Sequence, residues 1–154
     1  MTSKYLNEDG TLDRQLVIND VWAGVKSQGF ALSVTYDEDD GEYSDVCAYN
    51  GMNGTHCAIG WLLKDVPEDK VARFEGEGVG SVHNDEHRPV LELIGLQNLS
   101  TEDVLFLTGL QCSHDIAWDA IVYELDEPDF ARGATLFETN LRNYITSNNL
   151  EIPE

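Results

Sequence analysis

Two clusters of acidic residues have the residue types and the spacing to bind a positively charged partner. The clusters consist of Asp37, Glu38, Asp39, Asp40 and Glu42, and of Asp126, Glu127 and Asp129. Alternate side chains of an extended strand lie about 6.6 Å apart on one face. That distance is on the order of the phosphate spacing in a nucleic acid, where each strand carries one charge per ~3.4 Å of axis. The clusters therefore predict a carboxylate array that enters a basic groove built for nucleic acid, and the competing interpretation is a solvated acidic surface.

A second candidate for chemistry is Cys57 together with His114 and Asp115. An imidazole can activate a thiol, and a carboxylate can orient the imidazole, when the three groups meet in space. The apolar neighbours Ala58 and Ile59 favour burial of Cys57, and a buried thiol is unreactive. The competing interpretation is therefore structural, with His114 and Asp115 joined by a hydrogen bond or capping a helix end.

The same thiols and imidazole offer the ligand types of a zinc site, namely Cys47, Cys57, Cys112 and His114. A hairpin that turns around Met52 would place Cys47 opposite Cys57. Structural zinc sites, however, mostly use cysteine pairs two to four residues apart, and neither pair here has that spacing. Free cysteines are also common in apolar cores. We therefore predict no metal and no cofactor, and we favour a binding protein over an enzyme.

Charge restricts the partners of this chain. Its 154 residues include 29 Asp and Glu against 9 Lys and Arg, which gives a net charge of −20 and a pI near 4.2. Such a protein is repelled by nucleic acid phosphates and by anionic membranes, so it should bind neither directly. No run of 18 apolar residues predicts a membrane span. Three cysteines and an N-terminus without an apolar signal core indicate the cytoplasm. The expected partner is a basic protein, although adaptation to high salt would also explain the charge.

Hydrophobic periodicity predicts the elements that position these residues. We expect one domain over 1–154 with a frayed start at 1–10. A helix is predicted over 11–28, with Thr11 or Asp13 as its N-cap and Gly29 just after its end. Further elements are predicted as strands at 30–36 and 44–49, a turn at 50–54 that makes a hairpin of 44–49 with the chain returning through 55–57, a strand end leading into a short helix at 58–63, and helices at 68–74, 89–95, 100–123 and 129–147. The fold class is α+β, mostly helical, with a small antiparallel sheet near residues 30–60.

Two stretches resemble a loosely defined group of small uncharacterised phage and prophage proteins. Residues 54–63 read GTHCAIGWLL and are followed by FEG at 74–76 and by Val79, while residues 105–115 read LFLTGLQCSHD. The group shows a C-A-I-G-x-L-I/L core, an E-G-x-x-V step and a later L-Q-x-x-H-D. Trp61 stands where the group often has another cysteine. The resemblance covers 47–115, with a weaker helical tail at 136–150, and it implies a phage-type origin without implying an activity.

Size and charge are also similar to those of phage-encoded DNA mimics that inhibit restriction or CRISPR systems. The leading hypothesis is an acidic inhibitor that binds the basic groove of a host nucleic-acid-processing or defence enzyme. Reversing Asp37, Asp39 and Asp40 to Lys should then abolish binding without unfolding the chain. One alternative is a thiol- or metal-dependent enzyme using Cys57. Another is an acidic soluble adaptor, whose partner contacts an apolar surface and is indifferent to salt.

Overall fold

The structure, a computed structural model, describes residues 3–43, 48–74, 89–122 and 127–154. Its elements are α1 (Arg14–Ser27), β1 (Tyr36–Asp37), β2 (Glu42–Tyr43), α2 (Ala58–Leu62), α3 (Glu68–Ala72), α4 (Pro89–Glu92), α5 (Thr101–Val122) and α6 (Phe130–Ser147). The predicted class is confirmed, because the described chain is mostly helical with one small antiparallel sheet. None of the helices in these ranges is both long and apolar enough to cross a lipid bilayer.

Helix α1 spans Arg14–Ser27 within the predicted range 11–28, and of the two predicted N-caps it uses Asp13. Asp13 is the N-cap, and its carboxylate accepts a hydrogen bond from the Leu16 backbone N–H at 3.1 Å. After the helix, Gly29 takes the left-handed conformation at φ 66°, which a glycine adopts without steric cost. The inward face carries Val17, Ile18, Val21, Trp22 and Val25, all buried.

Helices α5 and α6 pack along each other and form the centre of the core. Helix α5 continues without interruption past Ile116. The two helices approach closely at Gly109, where a Cβ atom would overlap the ring of Tyr144. The hydroxyl of Tyr144 donates to the Phe106 carbonyl of α5 at 2.8 Å, which ties the helices at the same point.

The predicted strand over 30–36 is wrong except at its end, where Tyr36 and Asp37 form β1. Residues 31–35 make no sheet ladder. Their hydrogen bonds go to other parts of the chain: the Ser33 N–H donates to His114, the Ala48 N–H to the Ser33 carbonyl, and the Met52 N–H to the Val34 carbonyl. The alternating apolar pattern therefore reflects burial of an extended segment. The sheet is instead a short hairpin, in which Tyr36 pairs with Tyr43 and Asp37 pairs with Glu42.

The predictions for residues 44–63 need three corrections. Of the predicted strand 44–49, residues 44–47 lie outside the described ranges and 48–49 are not in a strand. Among the described residues no strand flanks the turn predicted at 50–54, where Met52–Gly54 form a 3-10 turn with Asn53 at φ 60°. The apolar run from Ala58 is helical from its first residue rather than a strand end.

The N-terminal segment is folded rather than frayed over residues 3–10. Tyr5 is 4% exposed, and Leu6 forms a β-bridge with Leu12. The Tyr5 hydroxyl donates to Asp20 at 2.7 Å, and the Lys4 ammonium lies 2.8 Å from the same carboxylate. Burial acts to raise the pKa of Asp20, but the hydrogen bonds from Lys4 and Tyr5 outweigh it and hold that pKa below its ordinary value.

Candidate functional site

The first acidic cluster is the turn of the β1–β2 hairpin. The Gly41 N–H donates to the Asp37 carbonyl at 2.8 Å and closes the turn. The carboxylate of Asp37 accepts from the Asp39 N–H, and that of Asp40 accepts from the Glu42 N–H, each at 2.9 Å. Such bonds from a side chain to the backbone two residues on are typical of turns. Two of the five acids thus order the backbone that presents all five, and all five are exposed.

Aromatic side chains attach this hairpin to the helical core. The ring of Tyr43 packs edge-on against Trp118 of α5 and Phe130 of α6, at centroid distances of 5.8 and 5.6 Å. Trp118 and Phe130 stack on each other at 5.9 Å. On the neighbouring strand, the ring of Tyr36 lies 4.8 Å from that of Tyr43. The sequence indicated none of these contacts, because the four rings come from three distant parts of the chain.

The second acidic cluster lies beside the first. Asp126 is outside the described residues, whereas Glu127 and Asp129 are described and exposed. Asp129 is the N-cap of α6, and its carboxylate accepts from the Arg132 N–H at 3.0 Å. Phe130 follows Asp129 in sequence and contacts Tyr43, which follows Glu42. This contact brings the two clusters close together. We call their described members the acidic face, namely Asp37, Glu38, Asp39, Asp40, Glu42, Glu127 and Asp129.

Sequence reasoning did not single out one exposed carboxylate that follows a residue in contact with the hairpin. Asp119 directly follows Trp118 on α5, and its side chain is exposed. It stands alone in the sequence, outside any acidic run. The signal that would have identified it is the contact of Trp118 with the hairpin, which requires the structure.

His114 and Asp115 form a structural tie rather than part of a thiol catalyst. The His114 ring is fully buried, and its Nε2 accepts the Ser33 N–H at 2.8 Å. An accepting Nε2 requires the proton on Nδ1, which faces the Asp115 carboxylate at 3.1 Å. Both ring nitrogens are therefore engaged, and Cys57 is itself fully buried in the core. The enzyme alternative lacks both an accessible thiol and a free imidazole base, and the competing structural interpretation agrees with this geometry.

The four candidate zinc ligands are not seen together. Cys47 lies outside the described ranges, and Cys57 and Cys112 are free thiols. Within those ranges, no three His, Cys, Asp or Glu side chains are grouped closely enough to hold a metal ion. Partial burial, and then the nearby Asp115 carboxylate, raise the pKa of the Cys112 thiol. This shift disfavours the thiolate that a metal ion would need.

No protein-family model matches the chain, and neither curated proteins nor solved structures show significant similarity to it. The resemblance to phage and prophage proteins therefore stays a prediction. The function has to be inferred from the geometry of the acidic face.

Proposed function

We propose that this chain is an acidic, phage-type inhibitor that acts in the host cytoplasm. It binds the basic nucleic-acid groove of a DNA- or RNA-processing or defence enzyme, in the place of the nucleic acid. The observation that supports this proposal most directly is the packing of Tyr43 on Phe130. That contact brings close together two acidic clusters that are more than 80 residues apart in the sequence.

The order of the acidic face favours a specific partner over a diffuse ionic atmosphere. Directly opposed residues of an antiparallel pair, such as Asp37 and Glu42, have Cβ atoms about 4.5–5.5 Å apart. The turn is closed by its own hydrogen bonds and held by three aromatic contacts, so binding requires little further ordering of this segment. Clustered charge of one sign steers a complementary surface and accelerates association, and salt screens this attraction.

The experiment compares two triple charge reversals. Glu38→Lys/Asp39→Lys/Glu42→Lys alters the acidic face but spares Asp37 and Asp40, whose carboxylates hold the turn. The matched control reverses three exposed acids outside the acidic face, and consists of Glu8→Lys, Asp69→Lys and Glu151→Lys. Each reversal raises the charge by two, so both variants carry −14 instead of −20.

Immobilised wild-type protein and both variants are exposed to bacterial lysate and washed at low and then high salt, and the eluted proteins are identified by mass spectrometry. We expect the wild type and the control to hold a nucleic-acid-handling enzyme that high salt releases and that duplex DNA displaces. The acidic-face variant should bind this purified enzyme at least about tenfold more weakly, since close interfacial charge pairs couple by more than 1.4 kcal/mol. Equal affinity of both triple variants would contradict the proposal.

The adaptor alternative predicts a different result in the same experiment. Its candidate surface is the outer side of α5, where Leu105 is 50% and Ile116 is 60% exposed. A partner held there would resist high salt and bind both triple variants alike. Such a partner would replace the inhibitor proposal by the adaptor.

A further inference from the structure

Two adjoining cavities form a groove away from the acidic face. The first has a volume of about 460 Å³ and the second about 440 Å³, and both are lined by Glu92 and Leu93 next to α4. Their apolar lining consists of Tyr5, Leu62, Val66, Phe74, Leu93 and Ile94. Volumes of a few hundred Å³ with mainly apolar walls and a few polar groups are typical of small-molecule sites.

The described residues that line this groove include more cations than carboxylates, whereas the chain as a whole is strongly acidic. Four of the nine Lys and Arg residues line it, namely Lys4, Lys64, Lys70 and Arg73. Among the described residues, the carboxylates that line it are Asp65 and Glu92. We call these residues together with the apolar walls the cationic groove.

Three of these cations have no ionic partner within the described ranges. Lys4 pairs with Asp20, but no carboxylate there lies within 4.0 Å of the charged atoms of Lys64, Lys70 or Arg73. The guanidinium of Arg73 instead lies over the Phe74 ring, 5.8 Å from its centroid.

Two arginines outside the cationic groove do pair with carboxylates. Arg14 binds Asp103, and Arg142 binds Glu138 and Glu154. Among the described residues Lys64, Lys70 and Arg73 have no such pair, so they leave positive charge available to a ligand beside an apolar cavity.

We propose that the cationic groove binds a small organic anion with an apolar body and one carboxylate, sulfonate or phosphate head. The apolar walls would cover the body, and the ammonium of Lys64 at the rim would hold the head. A bare inorganic anion would leave the walls unused, and a neutral apolar molecule would leave the cations unused. This proposal is independent of the acidic face.

The test uses a pair of fluorescent probes that differ in charge. The anionic probe is 8-anilino-1-naphthalenesulfonate, and the neutral probe is N-phenyl-1-naphthylamine, which lacks the sulfonate. We expect the anionic probe to bind one site per chain, more tightly than the neutral probe, and to be displaced by decanoate. Lys64→Gln should weaken binding of the anionic probe about two- to fivefold, because it removes one exposed ion pair. The affinity for the neutral probe should not change. Lys64→Arg should keep the affinity.

Three controls assign the site. Lys26→Gln removes an exposed lysine that lines neither cavity, and it should leave both affinities unchanged. Leu93→Ser shortens an apolar wall shared by both cavities and should weaken both probes. Ala134→Trp fills a separate apolar cavity of about 520 Å³ beside Phe130 and should have no effect. Thermal unfolding checks that each variant is folded.

Several results would overturn the proposal. They are equal effects of Lys64→Gln and Lys26→Gln on the anionic probe, tighter binding of the neutral probe, or loss of the anionic probe in Ala134→Trp. The triple variant of the acidic face should bind the anionic probe at least as tightly as the wild type. Failure of the inhibitor proposal would therefore leave this one standing, and the reverse also holds.

Discussion

At the scale of single residues, Asp103 is a buried carboxylate of α5 whose hydrogen bonds connect this helix to Leu12 and Arg14. It is 6% exposed, and its oxygens accept hydrogen bonds from the Leu12 N–H at 3.0 Å and from two guanidinium nitrogens of Arg14 at 3.0 and 3.2 Å. Sequence spacing predicts the helix that starts here, and in its first turn the Ser100 hydroxyl accepts from the Asp103 N–H at 3.2 Å. It could not predict the bond to Leu12, 91 residues away, because nothing in a local pattern shows which distant donor a carboxylate meets.

Asp103→Ala should lower the free energy of unfolding by about 2 kcal/mol, because it leaves the buried N–H of Leu12 and the partly exposed guanidinium of Arg14 without their acceptor. Urea denaturation measures this loss as a lower midpoint at an unchanged slope. Asp119→Ala, at an exposed position of the same helix, is the control and should change stability by no more than about 0.5 kcal/mol. A loss at Asp103 no larger than at Asp119 would show that the contacts contribute nothing net.

At the scale of elements, the sequence predicts the helices well and the sheet poorly. Caps and apolar spacing locate α1, α5 and α6, because a helix satisfies its backbone within itself. The segment 30–36 shows the limit: its alternation indicates an extended, buried chain, but the partners of its backbone lie in α5 and in the segment 48–52. The acidic clusters could likewise be identified from sequence, whereas their union into one surface depends on Tyr43 and Phe130.

Asp129 has two roles at the start of α6, because it caps the helix and also supplies negative charge to the acidic face. Two substitutions separate these roles. Asp129→Ala should cost about 1 kcal/mol of unfolding free energy, because the Arg132 N–H loses its acceptor. Asp129→Ser keeps a capping oxygen and should be nearly neutral in stability. Thermal or urea unfolding of the two variants provides this comparison.

Both Asp129 variants remove the same charge, so both should lower the affinity for the salt-sensitive partner by the same factor. Weaker binding in the Ala variant alone would mean that the cap matters to the partner and the charge does not.

At the scale of the whole molecule, the net charge of −20 opposes folding through self-repulsion. Raising NaCl from 10 mM to 1 M shortens the screening length from about 30 Å to about 3 Å. We expect the melting temperature to rise by at least about 3 °C, equivalent to roughly 1 kcal/mol for a chain of this size. Calorimetry or circular dichroism measures this rise.

The two −14 variants used above are the matched comparison for this effect. Both should show a smaller rise than the wild type, since they carry less repulsion to be screened. A melting temperature that is indifferent to salt in all three proteins would show that the carboxylates are too dispersed to repel one another appreciably.

The course of α5 gives the molecule an electrical polarity. Tyr5 lines the cationic groove, and its segment is bound through Leu12 to Asp103 in the first turn of α5. Trp118, which contacts the hairpin of the acidic face, lies 15 residues further on, or about 22 Å along the helix axis. The macrodipole of α5 is positive at the first end and negative at the second. A basic surface that approaches the hairpin therefore meets the carboxylates of the acidic face and the negative end of α5 together, and the two attractions add.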